Sequence, residues 1–227
     1  MIPPDRNKTQ ANYDKLSGWY DWLAGAGEVK AQRAALKLLQ PQPGERLLEI
    51  GFGTGGNLVA LAQAMQPGGR VWGVDVSGGM CRVARGKIGA AGVSNVCLCQ
   101  GDALTLPFGA HSFEAIFMSF ALELLPAAEM PLVLRQCGRV LGENGRICLT
   151  AMSQTSQPTI MSKLYQWGHR QWPATIDCQP IDVPRVVAQA GFQVVHEQYL
   201  SMWGLPVAIV LGRRWVGDWR LEIDPSR

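Results

Sequence analysis

The sequence predicts an α/β fold: a doubly wound, mostly parallel sheet of seven strands that ends in an antiparallel hairpin, with a helical cap at the N-terminus. Three observations carry that expectation. From residue 45 onward, short apolar runs alternate with helical patterns, as when strands are joined by crossover helices. The first run enters a glycine cluster, GFGTGG at residues 51–56, where strand gives way to helix. The last two runs are separated only by SMWGL at residues 201–205, too short for a crossover, so they pair antiparallel.

Each element has its own signal. Residues 28–40, EVKAQRAALKLLQ, carry apolar side chains at 31, 34, 35, 38 and 39, a one-sided stripe that predicts a helix within a cap spanning residues 1–40. RLLEIG at 46–51 reads as a first strand, and residues 56–65 as the helix after it. RVWGVD at 70–75 predicts a second strand, and Ser77 an N-cap for the next helix. Residues 95–102 and 112–120 predict strands three and four, 129–141 a helix, and 145–152 a fifth strand. Residues 153–178 carry no strand signal but several aromatics, which predicts a lid-like insertion at 153–180. A helix at 182–190, strands at 192–200 and 206–214, and a Trp- and Arg-containing tail at 214–227 complete the chain. The main domain is thus residues 41–213.

Composition narrows the function. At 227 residues the chain is one domain in size, and 47% apolar residues suffice for a full core. A formal net charge of +3 with no concentrated basic stretch argues against nucleic acid as a partner. The six cysteines form no CxxC pair and lack neighbouring histidines, so no metal site is expected; their apolar contexts suit small buried hydrophobes in a reducing cytoplasm. The polar N-terminus has no signal-peptide pattern, and the apolar run at 200–212 is too short to span a bilayer. Of the eight tryptophans, only Trp72 lies in the Gly-rich middle.

The glycine cluster is the first candidate site. Gly51, Gly53, Gly55 and Gly56 stand where a backbone can approach a ligand and a helix N-terminus can present N–H groups. By themselves they fit both GxGxxG and GxGxG. Two acids narrow the choice, because Asp75 ends strand two and Asp102 ends strand three, on the same edge of the sheet. An acid after strand two can accept hydrogen bonds from ribose hydroxyls, and one after strand three can read an adenine edge, so three successive strand ends describe one adenosine-like ligand.

With these motifs in place, LLEIGFGTGGNL, VWGVDVSGGM, GDALTLPF and SFEAIFMSFALELLP resemble those of class I S-adenosylmethionine-dependent methyltransferases with a Rossmann-like fold. The leader YDKLSGWYDWLAG resembles that of the ubiquinone/menaquinone-biosynthesis group. The resemblance implies S-adenosylmethionine as cofactor and S-adenosylhomocysteine as product. It also implies that Gly51, Gly53 and Gly55 face the methionine part, Asp75 holds the ribose, Met80 packs by the adenine, Asp102 and Ala103 bind its edge, and Ser119 lines the methyl-donor pocket. Asn57 and Val76 are counted with the cofactor-binding set, and Tyr13 or Tyr20 is expected to close the site. An NAD-linked oxidoreductase is the rival reading; the YxxxK arrangement that would favour it is absent.

For the acceptor, the absence of an Asn/Asp-Pro-Pro-aromatic motif after strand four argues against planar amides and base amines. His169 and Tyr165 are the candidate catalytic residues: the resemblance implies that the aromatic insertion covers the acceptor, where His169 can touch it or act as a base. His111 reads as an exposed turn residue and His196 as a structural strand residue. The tryptophans outside the middle suggest an aromatic-walled pocket for a small apolar or lipid-like acceptor, either a quinone-type ring or a phospholipid headgroup amine. Arg213, Arg214 and Arg220 with Trp215 and Trp219 suggest peripheral membrane contact of a cytoplasmic protein. A secondary-metabolite O- or N-methyltransferase and a non-catalytic cofactor-binding regulator are the alternatives.

Overall fold

The computed structural model describes residues 20–154, 180–202 and 204–214, with side chains from residue 27 onward. The chain begins with α1 (Tyr20–Leu39), followed by β1 (Arg46–Ile50), α2 (Gly56–Ala64), β2 (Arg70–Asp75), α3 (Gly78–Ala90) and β3 (Val96–Gln100). β4 (Phe113–Ser119), α4 (Met130–Val140), β5 (Leu141–Met152), α5 (Val183–Gln189), β6 (Phe192–Met202) and β7 (Leu205–Arg214) complete it. All seven predicted strands are present, in the order β3-β2-β1-β4-β5-β7-β6. β1 to β5 run parallel, while β7 lies antiparallel between β5 and β6. The chain builds outward from β1 to β3, then returns to place β4 on the other side of β1. The carboxyl ends of β1 and β4 therefore diverge to neighbouring crossovers, the point at which such sheets open a ligand crevice.

Burial follows position in the sheet. Phe117, Ile116 and Met118 of the central β4 are at most 1% exposed, because helices cover both faces. On one face α4 and α5 bring Val133, Leu134, Val140, Val183 and Val187 into the main core. Each fully buried Val or Leu contributes roughly 1.5–3 kcal/mol. On the other face, Ala35 and Leu39 of α1 pack with Leu47, Phe117, Cys148 and Ile209. Farther up α1, Ala31 meets Phe120, Met152, Met202 and Val207.

The predicted cap forms, Ser77 Oγ accepting from the Met80 N–H at 3.1 Å; the Asp182 side chain also caps its helix, accepting from the Arg185 N–H at 3.2 Å. β6 and β7 close directly, with Met202 paired to Leu205.

Several expectations need correction. α1 begins at Tyr20, eight residues before the expected helix start at 28, despite Gly25 and Gly27. At Gly27 an added Cβ would lie 2.6 Å from Met202 Cγ, so a glycine there lets the helix approach the hairpin end. β5 starts at Leu141, ahead of the expected 145, because Leu141 already pairs with Phe113 across an irregular register. Cys97 is exposed and Cys99 half-buried, since β3 is an edge strand; Cys81, Cys137 and Cys148 are buried as expected. Trp72 packs edge-on against Phe113 at 5.5 Å, within the body of the sheet. Arg214, read as the start of a membrane-facing tail, ends β7 and donates to Leu141 O and His111 Nδ1, both at 2.9 Å. No described helix is long and apolar enough to cross a membrane.

Candidate functional site

A cavity of about 710 Å³ follows the carboxyl edge of the sheet from the end of β3 to α1. Its floor is the glycine loop. The Gly51 N–H donates to Val74 O at 2.8 Å, which locks the loop to β2. Gly51 takes φ +69°, and a Cβ there would fall 2.5 Å from Ala121 Cβ, so both backbone and space demand glycine. A Cβ on Gly53 would meet nothing within 4 Å, leaving open space above the backbone on the cavity floor. Gly55, expected to face the ligand, is not among the cavity-lining residues, and an added Cβ there would be 2.7 Å from Ala84 Cβ on α3. Gly56 lines the cavity in its place.

The two strand-end acids combine a structural role with a place on the cavity wall. Asp75 Oδ2 accepts from the Gly53 N–H and Oδ1 from the Ser77 N–H, both at 2.9 Å. The carboxylate thereby ties the loop to the entry of α3 while still lining the cavity. Each oxygen keeps acceptor capacity beyond one bond. Asp102 Oδ1 accepts from the Leu104 N–H at 2.9 Å, capping the 3-10 turn Ala103–Thr105, and it too lines the cavity. Val76, Met80, Ala103, Asn57 and Ser119 are also lining residues. The Ser119 hydroxyl is buried and has no hydrogen-bond partner among the described residues. Tyr13, Tyr165 and His169 lie outside the described residues, as does the side chain of Tyr20 and as do all the tryptophan side chains but Trp72.

Two buried acids bracket this region. Glu49, 1% exposed, accepts from Asn57 Nδ2 at 3.3 Å. Burial pushes its carboxyl up to about 8, opposed by the Asn57 hydrogen bond and reinforced by the Asp75 charge. Glu123, in the 3-10 turn Leu122–Leu124 after β4, is fully buried and accepts from the Met152 N–H at 3.1 Å. Burial pushes it up to about 8 as well, against its backbone hydrogen bonds and with the Glu28 charge adding. Among the described residues, no three His, Cys, Asp or Glu gather as a metal site.

Sequence reading missed part of the lining. Glu28, Val29 and Gln32 reach the cavity from α1, with Gln32 Nε2 donating to Glu28 Oε1 at 3.0 Å. Phe120, Ala121, Leu124 and Leu125 form the adjoining apolar wall, and Lys87, donating to Thr54 Oγ1 at 2.9 Å, borders the glycine loop. For Glu28 and Gln32 the available signal was their i, i+4 spacing ahead of the apolar stripe at 31 and 35.

The space above Gly53, the unpartnered Ser119 hydroxyl and the two strand-end carboxylates suit an adenosine-bearing sulfonium ligand. Comparison with known proteins agrees. Residues 47–145 match the methyltransferase domain family. The chain is 33% identical to the demethylmenaquinone methyltransferase of Geobacillus kaustophilus over 72% of this chain and 67% of that one. It is 33% identical to the nocamycin O-methyltransferase of Saccharothrix syringae over 95% of this chain and 85% of that one. Matches to the demethylmenaquinone enzymes span about two thirds of their length, 67% and 62% in two cases. Among solved structures, a SAM-dependent methyltransferase from Aquifex aeolicus shares the fold at TM-score 0.65 and 18% identity, over 88% of this chain and 98% of that one. The cyclase SpnF does so at TM-score 0.75 and 17% identity, over 96% and 98%, which illustrates that the fold alone does not fix the reaction. The chain belongs to the class I S-adenosylmethionine-dependent methyltransferases, near the group of the demethylmenaquinone methyltransferases.

Proposed function

We propose that the chain moves a methyl group to a small apolar or amphipathic acceptor, a quinone-type ring being the leading case. The observation that carries this reading is the continuity of the cavity, polar beside β2 and β3 and largely apolar under α1. In it, Asp75 holds the ribose, Asp102 and Ala103 meet the adenine edge beside Met80 and Val76, and Gly51 and Gly53 let the methionine part lie on the backbone. S-adenosylmethionine, when bound, supplies a methyl carbon activated by a sulfonium. The protein's task is then to align the acceptor in line with that carbon and to exclude water. Val29, Phe120, Leu124 and Leu125 serve this by offering an apolar surface to the acceptor. His169 and Tyr165 are proposed on the acceptor side, and the cytoplasm is the proposed location.

The name of the Geobacillus relative supports a quinone-type ring. The nocamycin O-methyltransferase, which matches more of this chain, supports a second reading, a hydroxyl of a secondary metabolite. Calorimetric titration with S-adenosylmethionine, S-adenosylhomocysteine and NAD tests the cofactor half. Binding of the first two without NAD is expected; binding of NAD alone overturns it. Mass spectrometry of products from reduced naphthoquinones and from phenols then separates ring-carbon from oxygen methylation.

A further inference from the structure

We propose that Arg139, which does not line the cavity, is a positioning residue for the adenine edge: by holding the carbonyls of Leu106 and Phe108 it fixes where Asp102 and Ala103 stand. This deepens the methyltransfer reading and rests on its assignment of Asp102 and Ala103 to the adenine. The turn that carries those two residues is closed by local bonds. Asp102 accepts from the Leu104 N–H through its side chain and from the Thr105 N–H through its carbonyl, at 2.9 and 3.0 Å. On the β3 side, the Gly101 N–H ties the turn to Asp75 O at 2.9 Å. On the other side the chain runs through Leu106, 4% exposed, and Phe108 toward β4, and there α4 takes hold of it. Arg139 Nη2 donates to Leu106 O at 3.0 Å and Nη1 to Phe108 O at 2.7 Å. Gln136 aims the fork, its Oε1 accepting from Arg139 Nε and Nη2 at 3.0 and 2.8 Å. The backbone of the same helical turn completes the clamp: the Arg139 and Val140 carbonyls accept from the His111 and Ser112 N–H groups at 3.1 and 2.7 Å.

An arginine in the last turn of a helix has that helix's terminal carbonyls within reach. This one instead turns its fork to carbonyls 31 and 33 residues earlier in the chain. A planar guanidinium bridges two carbonyls at a set separation, which an ammonium on a flexible stem does not. Leu106 and Phe108 therefore have a defined place, and the turn that ends one residue before Leu106 shares it. The precision matters for reading a base. A carboxylate placed to accept from the 6-amino group of adenine meets an oxygen in a 6-oxo purine, and two acceptors face each other without a proton between them. That discrimination is only as sharp as the position of Asp102.

The test titrates S-adenosylhomocysteine and its 6-oxo counterpart, S-inosylhomocysteine, into the full chain by calorimetry. Wild type is expected to prefer the amino purine about a hundredfold. In Arg139→Met the preference is expected to fall to about tenfold or below, through weaker binding of S-adenosylhomocysteine. Arg139→Lys, which keeps the charge and reaches one carbonyl, and Gln136→Leu, which removes the orienting acceptor, are expected in between. Arg146→Met, which releases α1 instead, is expected to keep the wild-type ratio. A purely structural arginine would lower the melting temperature and the fraction of chain that binds, with the ratio of affinities as in wild type; that result overturns the proposal. Should Arg139→Met fail to fold, wild-type ratios in both Arg139→Lys and Gln136→Leu overturn it equally. So does an equal loss of preference in Arg146→Met. A wild type with no preference would strike the adenine assignment itself, and this proposal with it.

Discussion

The two ends of the cavity are built by different means. At the β2–β3 end, cavity-lining groups sit at strand ends and are fixed by short backbone hydrogen bonds, as when Asp75 joins Gly53 to Ser77. At the α1 end, the lining comes from a helix and a 3-10 turn that lie far apart in sequence. The helix is held by packing and, at its C-terminus away from the cavity, by Arg146, which donates to Leu39 O and Gln40 O, each at 2.8 Å, and forks onto Glu45 at 2.7 and 2.8 Å. The arginine thus satisfies carbonyls at the C-terminus of α1 and anchors that helix to β5.

The largest expected effect comes from breaking the strand-edge end. Asp75→Ala removes a cavity carboxylate and leaves the Gly53 and Ser77 N–H groups without their partner. S-adenosylhomocysteine affinity should fall about a hundredfold by calorimetry, with about 2 kcal/mol lost in urea unfolding. Unchanged affinity would refute the ribose assignment. Gly51→Ala comes next: a side chain at φ +69°, 2.5 Å from Ala121, should cost about 2 kcal/mol and weaken the same ligand about tenfold. An unaltered unfolding midpoint would show that the loop relaxes.

Arg146→Met should act on the other end. About 2 kcal/mol of stability is expected to go, with faster amide hydrogen exchange along α1, while S-adenosylhomocysteine affinity stays within about threefold of wild type. Equal acceleration of exchange in the glycine loop would mean that the two ends are not independently held.

A further effect concerns pH. Glu123 keeps its proton in the folded state up to about 8, whereas the unfolded chain releases it near an ordinary carboxylate value of about 4.3. The folded state therefore binds more protons between those values, and its stability falls as pH rises through that window. Glu123→Gln should flatten the fall in melting temperature between about pH 5 and pH 8. Glu49 adds a slope of the same sign, so the flattening is partial. An identical slope in the variant would remove Glu123 as a source.

Legibility in the sequence tracked how local each cause is. β2 was read to the residue, because its apolar run meets Asp75 and a capped helix directly. Ser77 was legible as a cap for the same reason. The early start of α1 was not, since Gly25 and Gly27 argue against a helix until Met202 is seen packed against it. Gly55 carries the same letter as Gly51, yet only the position of Ala84 tells that it serves helix packing. Glu123 reads as one acid in an apolar stretch, and its burial against β5, where it meets the Met152 N–H, depends on segments distant in sequence.

By itself the sequence determined the strands, the hairpin, the glycine floor and the two strand-end acids, because periodicity, turn length and capping act over a few residues. Only the tertiary structure decided that α1 carries Glu28 and Gln32 to the far end of the cavity. That juxtaposition depends on packing between segments about ninety residues apart, α1 and the wall that runs from Phe120 to Leu125, and no local pattern encodes it.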